Sequence, residues 1–154
     1  MTGSRIYPAP NFLAAALSKD GPSAGSLLSD ANARVAALAA DIALFVADRV
    51  ALLAAWTDQP EDVLFAGRQS VAAAAAAIVE VAEAAGMEAV GSVARGICVL
   101  LDSAANRDAW HADALRVHLR ALVLVHSQSR EPESDWRRIA GELRSLRATL
   151  GLTE

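Results

Sequence analysis

The sequence has one cysteine, one lysine and no long hydrophobic run. Cys98 is the only cysteine among 154 residues, so no intrachain disulfide can form and a reducing, cytoplasmic compartment is favoured. The uncharged alanine-rich interval 69–79 has eleven residues, whereas a membrane-spanning helix needs about 20 apolar ones. The N-terminus has no basic segment followed by an apolar run. We therefore expect neither a membrane span nor a signal peptide.

The charge of the chain also argues against one class of partner. Thirteen of the fourteen basic residues are arginines, scattered along the sequence, and the net charge is −4 with a pI near 5.3. Nucleic-acid binding depends on clustered Lys and Arg side chains. We expect no nucleic-acid partner.

Helical periodicity runs through nearly the whole chain, and no segment alternates apolar and polar residues at every second position. The fold class predicted is all-α: an antiparallel, up-and-down four-helix bundle with a loose N-terminal arm and an extra C-terminal amphipathic helix. The corresponding divisions are an arm over 1–25, the bundle over 26–128, and a linker with the last helix over 129–154. The first predicted helix begins near Ser26 or Ser29 and runs to about Trp56. The others cover about 58–85, 87–104, 107–127 and 134–149.

Local signals mark the two ends of the second helix. Asp58 can cap its start, with Pro60 in the first turn and Glu61 three residues after the aspartate. Gly86 can adopt the left-handed conformation that ends a helix.

Apolar residues at helical spacing predict which side of each helix faces the core. In the last helix the arginines, Arg147 among them, are assigned to the solvated side. The predicted stripes are Leu28, Ala31, Val35, Leu38, Ile42, Val46, Val50 and Leu53 in the first helix, Met87, Val90, Ala94, Ile97 and Leu101 in the third, Trp110, Ala114, Val117, Ala121 and Leu124 in the fourth, and Trp136, Ile139, Leu143, Leu146 and Leu150 in the last.

The run VAAAAAAIV at 71–79 has two explanations that can hold together. Alanine is the best helix former and lets helices approach closely, so the run is typical of a tightly packed central helix. One side of the same helix can face solvent as a flat patch of small residues for a partner. That side consists of Gln69, Ala73, Ala76, Glu80 and Glu83.

The stretch GMEAVGSVARGICVLLD at 86–102 resembles part of a histidine-phosphotransfer domain. In that family a helix carries His-x-x-Lys-Gly and ends six residues later at a glycine, and the next helix continues with apolar residues at +4, +8 and +11. Gly86 matches the glycine, and Val90, Ala94 and Ile97 match the three offsets. The histidine position is Ala76, so the resemblance implies a phosphotransfer-like bundle that lacks the phosphoacceptor.

A narrower resemblance is to alphaproteobacterial chemotaxis proteins of the CheE type. It rests on GMEAVGSVARGICVLLD at 86–102, WHADALRVHLRALVLV at 110–125 and, more weakly, FLAAALSKDGPSAGSLLSDANARVAAL at 12–38, about half of the chain.

Other side chains offer little chemistry. His111, His118 and His126 share one predicted helix at spacings of seven and eight, roughly 10 Å apart along the axis, too far to share a metal. Asp108 and His111 form a single D-x-x-H step without the second copy that a di-metal bundle needs. No metal or cofactor is expected, and no enzyme signature is present. Cys98 is interpreted as a small packing residue.

The sequence thus predicts a non-enzymatic binding protein of bacterial two-component or chemotaxis signalling. The predicted partner is a receiver domain or a histidine kinase, docked around Ala73, Ala76, Glu80 and Glu83. One alternative is a structural or oligomerisation module, a homodimer formed by helix 134–149 packing on its own copy. Others are a phosphotransferase that uses a histidine of the fourth helix, with His118 the candidate, and an enzyme whose site is not recognised.

Overall fold

The computed structural model describes residues 23–104, 109–128 and 135–152, and within these ranges the chain forms helices and no strand. The all-α fold class is confirmed for this part of the chain. A 3₁₀ turn, Glu83–Ala85, follows the second helix. The five α-helices are α1 (Ala24–Ala54), α2 (Glu61–Ala82), α3 (Glu88–Ser103), α4 (Ala112–Gln128) and α5 (Trp136–Thr149).

Contacts between Cα atoms divide the chain into two units, 1–38 and 39–154. In the first unit the described side chains from 25 to 38, all on α1, are exposed. Most of the N-terminal arm predicted over 1–25 lies outside the described residues. The predicted divisions at 25/26 and 128/129 stay a prediction.

The apolar stripe predicted for α1 is buried only toward its C-terminal end. Val46, Val50 and Leu53 belong to the core of the second unit. Leu28, Val35 and Leu38 are exposed at 65%, 67% and 60%, so the prediction that the stripe faces the core is wrong for this half. Helical spacing identifies an apolar side but does not say whether this chain covers it.

The start of α2 differs from the predicted capping box. Pro60 occupies the N-cap position, where no side chain caps the helix, and its carbonyl accepts a 2.9 Å hydrogen bond from the Leu64 amide. The Asp58 carboxylate instead accepts a 3.1 Å hydrogen bond from Arg120 Nη2. The aspartate is therefore engaged by α4 rather than by the first turn of α2.

The end of the α2 segment is as predicted. Gly86 has φ 69°, in the left-handed region, and its amide donates to the Glu83 carbonyl at 3.0 Å. The Met87 amide donates to the Ala82 carbonyl at 2.8 Å. These bonds satisfy carbonyls at the end of the helix, and α3 begins directly afterwards at Glu88.

Helix α3 contacts α2, α4 and α5, so it lies at the centre of the second unit. Its predicted stripe is confirmed: Val90, Ala94, Ile97 and Leu101 are buried and Met87 is partly buried against the core. A Cβ placed on Gly91 would lie 3.1 Å from the Cβ of Ala82. Small residues therefore let α2 and α3 pack closely.

The buried side of α4 agrees with the predicted stripe only in part: Ala114 is buried, and Trp110 and Ala121 are partly buried against the core. Val117 and Leu124 are exposed at 45% and 46%, which makes the prediction wrong for both. The helix carries apolar residues on more than one side, so spacing alone selects the wrong row. The side chains buried on α4 are Ala112, Ala114, Leu115, His118, Leu119, Leu122 and Val125.

Helix α5 packs on α3 and α4 through its apolar side. Leu143 is buried, and Trp136 and Ile139 pack against the core. Arg147 is 4% exposed, so its assignment to the solvated side is wrong. Because this apolar side is occupied within the chain, pairing of α5 with its own copy would require α5 to leave the core.

By length and composition alone, the stretch Glu61–Ala85 is apolar enough to cross a membrane. A core helix of a globular domain meets the same criterion. In this structure α2 buries the following residues inside the protein: Leu64, Val71, Ala75, Ile78 and Ala82.

Candidate functional site

The outer side of α2 and the first residue of the 3₁₀ turn that follows it carry the predicted partner-binding residues, and all of them are exposed. They follow one another at intervals of three or four, so they form one stripe along the helix. The stripe is acidic at its C-terminal end and has methyl groups at its centre. We call these residues the α2 outer face: Gln69, Ala73, Ala76, Glu80 and Glu83.

The α2 outer face adjoins a groove between the C-terminal part of α1 and α2. Ala73 belongs to both the face and the groove, whose volume is about 490 Å³. Arg49 lies in its α1 wall with its guanidinium carbon 4.9 Å from the Phe45 ring centroid. We call this the α1–α2 groove, and its lining residues are Arg49, Leu52, Trp56, Ser70, Ala73, Ala74 and Ala77.

Trp56 lines this groove and packs directly on α2 at Gly67. A Cβ built on Gly67 would clash with the six-membered ring of the indole. Glycine is therefore required at this position for the indole to approach the helix so closely.

Two side chains of α4 and α5 form a buried polar pair. His118 is fully buried, and its Nδ1 lies 2.8 Å from the Ala114 carbonyl oxygen. Since a carbonyl only accepts, Nδ1 carries the proton, and Nε2 accepts a hydrogen bond from Arg147 Nη1 at 3.1 Å. Both imidazole nitrogens are thus occupied.

The surroundings of His118 favour its neutral form. Burial lowers the pKa of the imidazole below the usual 6.5, and the Arg147 charge lowers the pKa further, while the hydrogen bond to Ala114 opposes both. Gly96 of α3 completes the cluster, since a Cβ there would collide with the Arg147 guanidinium and lie 3.1 Å from His118 Cδ2.

The other candidate residues are not brought together. His111 precedes α4 and lines a hollow with Trp110, and His126, near the end of α4, lines another with Met87, whereas His118 is buried. The Asp108 of the D-x-x-H step lies outside the described residues. Among the residues that the structure does describe, no three His, Cys, Asp or Glu side chains are grouped to hold a metal.

Cys98 is half-buried on α3. Burial, and then the carboxylate of Asp102, raise the pKa of its thiol. A thiol held in its protonated form is a poor nucleophile.

Sequence reasoning did not identify a second groove, between α3 and α5 and about 480 Å³ in volume. Arg95, Arg137 and Arg144 line it together with Glu83 of the 3₁₀ turn and Glu88 of α3. Arg137 also packs over the Trp136 ring at 5.1 Å. The lining of this groove contains both positive and negative side chains. These residues come together only because three helices pack side by side, and no local sequence pattern reveals that packing.

Comparison with known proteins adds no relative: no protein-family model, no curated protein and no solved structure matches this chain.

Proposed function

We propose that this chain is a non-catalytic binding protein that docks a partner protein through the α2 outer face. The observation that carries the proposal is the exposure of the whole face on a helix whose opposite side belongs to the core. A helix anchored in this way presents its outer side rigidly, and the small central side chains let a partner approach the helix closely. Rigid, preorganised surfaces lose little conformational entropy on binding.

We propose further that the helices form an antiparallel four-helix arrangement and that the partner is a receiver domain or a histidine kinase of bacterial two-component signalling. Support comes from the residues that resemble a phosphotransfer domain: Gly86 in its left-handed turn and the buried row Val90, Ala94 and Ile97. Ala76, at the position of the phosphoacceptor, is exposed and has no nucleophile. Docking needs shape and apolar contact, so it is separable from phosphoryl transfer, which needs an imidazole.

The phosphotransferase alternative would use a histidine of α4. His118 has no exposed surface, and both of its nitrogens are hydrogen-bonded. A phosphoryl group could reach it only if α5 separated from α4, which disfavours this alternative for His118.

The test is the substitution Ala76→Arg at the centre of the face. Receiver domains and histidine kinase domains of the source organism would be screened for binding, and the tightest complex measured by calorimetry. We expect the arginine to weaken that complex by about 1–3 kcal/mol, roughly five- to 150-fold, with little change in the thermal midpoint because position 76 is exposed.

Ala148→Arg is the matched control, since Ala148 is also exposed but lies on α5. It should leave the affinity unchanged. Incubation with a phosphorylated receiver should transfer no phosphate to the chain. The proposal fails if no domain binds, if both variants weaken binding equally, or if phosphohistidine forms on α4.

A further inference from the structure

Exposed large apolar side chains are concentrated on α1. Seven of the eleven in the described part of the chain belong to this helix, and the other four are spread over α2 and α4. From residue 25 to 38 every described side chain of α1 is exposed. Contiguous apolar surface of this kind marks an interaction site, and helices in water gain most of their stability from packing an apolar face.

The spacing along α1 is that of a coiled-coil seam. In the seven-residue repeat of a coiled coil, labelled a to g, the a and d positions form the contact seam. Every seventh residue from Leu28 is an a position here, and every seventh residue from Ala31 is a d position. The eight positions span 25 residues, about 37 Å of helix. The seam consists of Leu28, Ala31, Val35, Leu38, Ile42, Phe45, Arg49 and Leu52.

We propose that this seam binds a second copy of the same chain, with the two α1 helices antiparallel. In the central layers Leu38 then meets Ile42 of the other copy, and Val35 meets Phe45. In the outer layers Leu28 meets Leu52. Each large exposed side chain of the seam therefore has an apolar partner.

The charged residue in the seam selects the antiparallel orientation. In a parallel pair, each Arg49 would lie against the Arg49 of the other copy. In the antiparallel pair it lies opposite Ala31, which leaves room for the guanidinium. A single polar or charged residue at an a position is a known determinant of register and oligomeric state.

Charges beside the seam favour the same register. Arg34 and Asp48 each precede an a position, and both are exposed. In the antiparallel pair, Arg34 of each copy would lie beside Asp48 of the other copy, which gives two such contacts. Asp41 would meet its own copy at the centre, an unfavourable contact that is exposed and screened by salt. The two Arg34–Asp48 contacts outnumber it.

The dimer does not depend on the proposed function. Arg49 and Leu52 line the α1–α2 groove as well as the seam, so a second copy would border that groove. Three residues of the α2 outer face belong neither to the seam nor to the α1–α2 groove: Ala76, Glu80 and Glu83.

The first test measures the molar mass of the full chain by light scattering over a concentration series. We expect a dimer of twice 16.0 kDa, and we expect Leu38→Glu to weaken it by about tenfold or more. The matched control is Leu44→Glu, because Leu44 is 69% exposed on the same helix but lies off the seam. A monomeric native chain, or equal weakening by both variants, overturns the proposal.

The second test keeps the apolar residues and changes only exposed charges. Arg34→Asp should weaken the dimer by about three- to tenfold, and adding Asp48→Arg to the same chain should restore it. Circular dichroism would confirm that helix content is unchanged. Failure of the double variant to recover the affinity overturns the antiparallel register.

Discussion

At the scale of single residues, the hydrogen bond between His118 and Arg147 connects α4 to α5 inside the protein. A buried arginine is stabilised by hydrogen-bond acceptors, and the Nε2 lone pair of a neutral imidazole is such an acceptor. The pair therefore holds only while His118 stays unprotonated.

The stability of the fold should fall in mild acid because of this histidine. Its pKa is lowered in the folded chain from the usual 6.5, so below pH 6.5 the unfolded chain binds a proton that the folded chain does not. The contribution is complete above that pH and declines by at most about 1.4 kcal/mol per pH unit below it, down to the folded pKa. Urea unfolding at a series of pH values measures this dependence.

The variant His118→Asn should be less stable at neutral pH but lose less stability on acidification. The control His111→Asn, which removes a half-buried histidine outside the pair, should retain the dependence of the native chain. An unaltered pH profile in His118→Asn would refute the assignment.

At the scale of helices, the sequence predicted where helices lie and where they end better than it predicted which side of each helix is buried. The stop at Gly86 was predictable because left-handed backbone strongly favours glycine. The burial of Arg147 was not predictable, since it depends on His118, 29 positions earlier, and on the space left by Gly96.

Two residues of the stripe predicted for α4, Val117 and Leu124, were assigned to the core wrongly for a related reason. Leucines and valines occupy several rows of this helix, and only the placement of α3 and α5 decides which row is buried. The α2 outer face was easier to predict, because glutamates at 80 and 83 mark the solvated side.

A pair of truncations on α4 tests the side that the structure assigns. Leu119 is fully buried, whereas Leu124 is 46% exposed. Leu119→Ala should lower the free energy of unfolding by about 2–5 kcal/mol, and Leu124→Ala by less than about 1 kcal/mol. Chemical denaturation compares the two. Equal losses would contradict the difference in burial between the two leucines, and a larger loss at 124 would show that the predicted row is the buried one.

At the scale of the whole chain, the two units should differ in resistance to protease. Arg34 is exposed within the first unit, whereas Arg68 and Arg147 belong to the second and are at least partly buried. Limited trypsin digestion of a dilute sample should therefore cut after Arg34 before it cuts at the other two, since cleavage needs local unfolding.

Mass spectrometry of early fragments identifies the first site. The cut after Arg34 should slow as the protein concentration rises, because pairing of α1 with a second copy would protect it. Early fragments that begin at residue 69 would contradict the expectation that the exposed Arg34 is cut before the partly buried Arg68.

The three tryptophans lie in three different surroundings. Trp56 packs on the backbone at Gly67, Trp110 meets the Phe65 ring edge-on at 5.3 Å, and Trp136 lies under the Arg137 guanidinium. Indole emission depends on local polarity and on nearby quenching groups. Versions of the chain that keep one tryptophan each would thus act as intrinsic fluorescent reporters, able to show in a stopped-flow spectrometer which junction opens first.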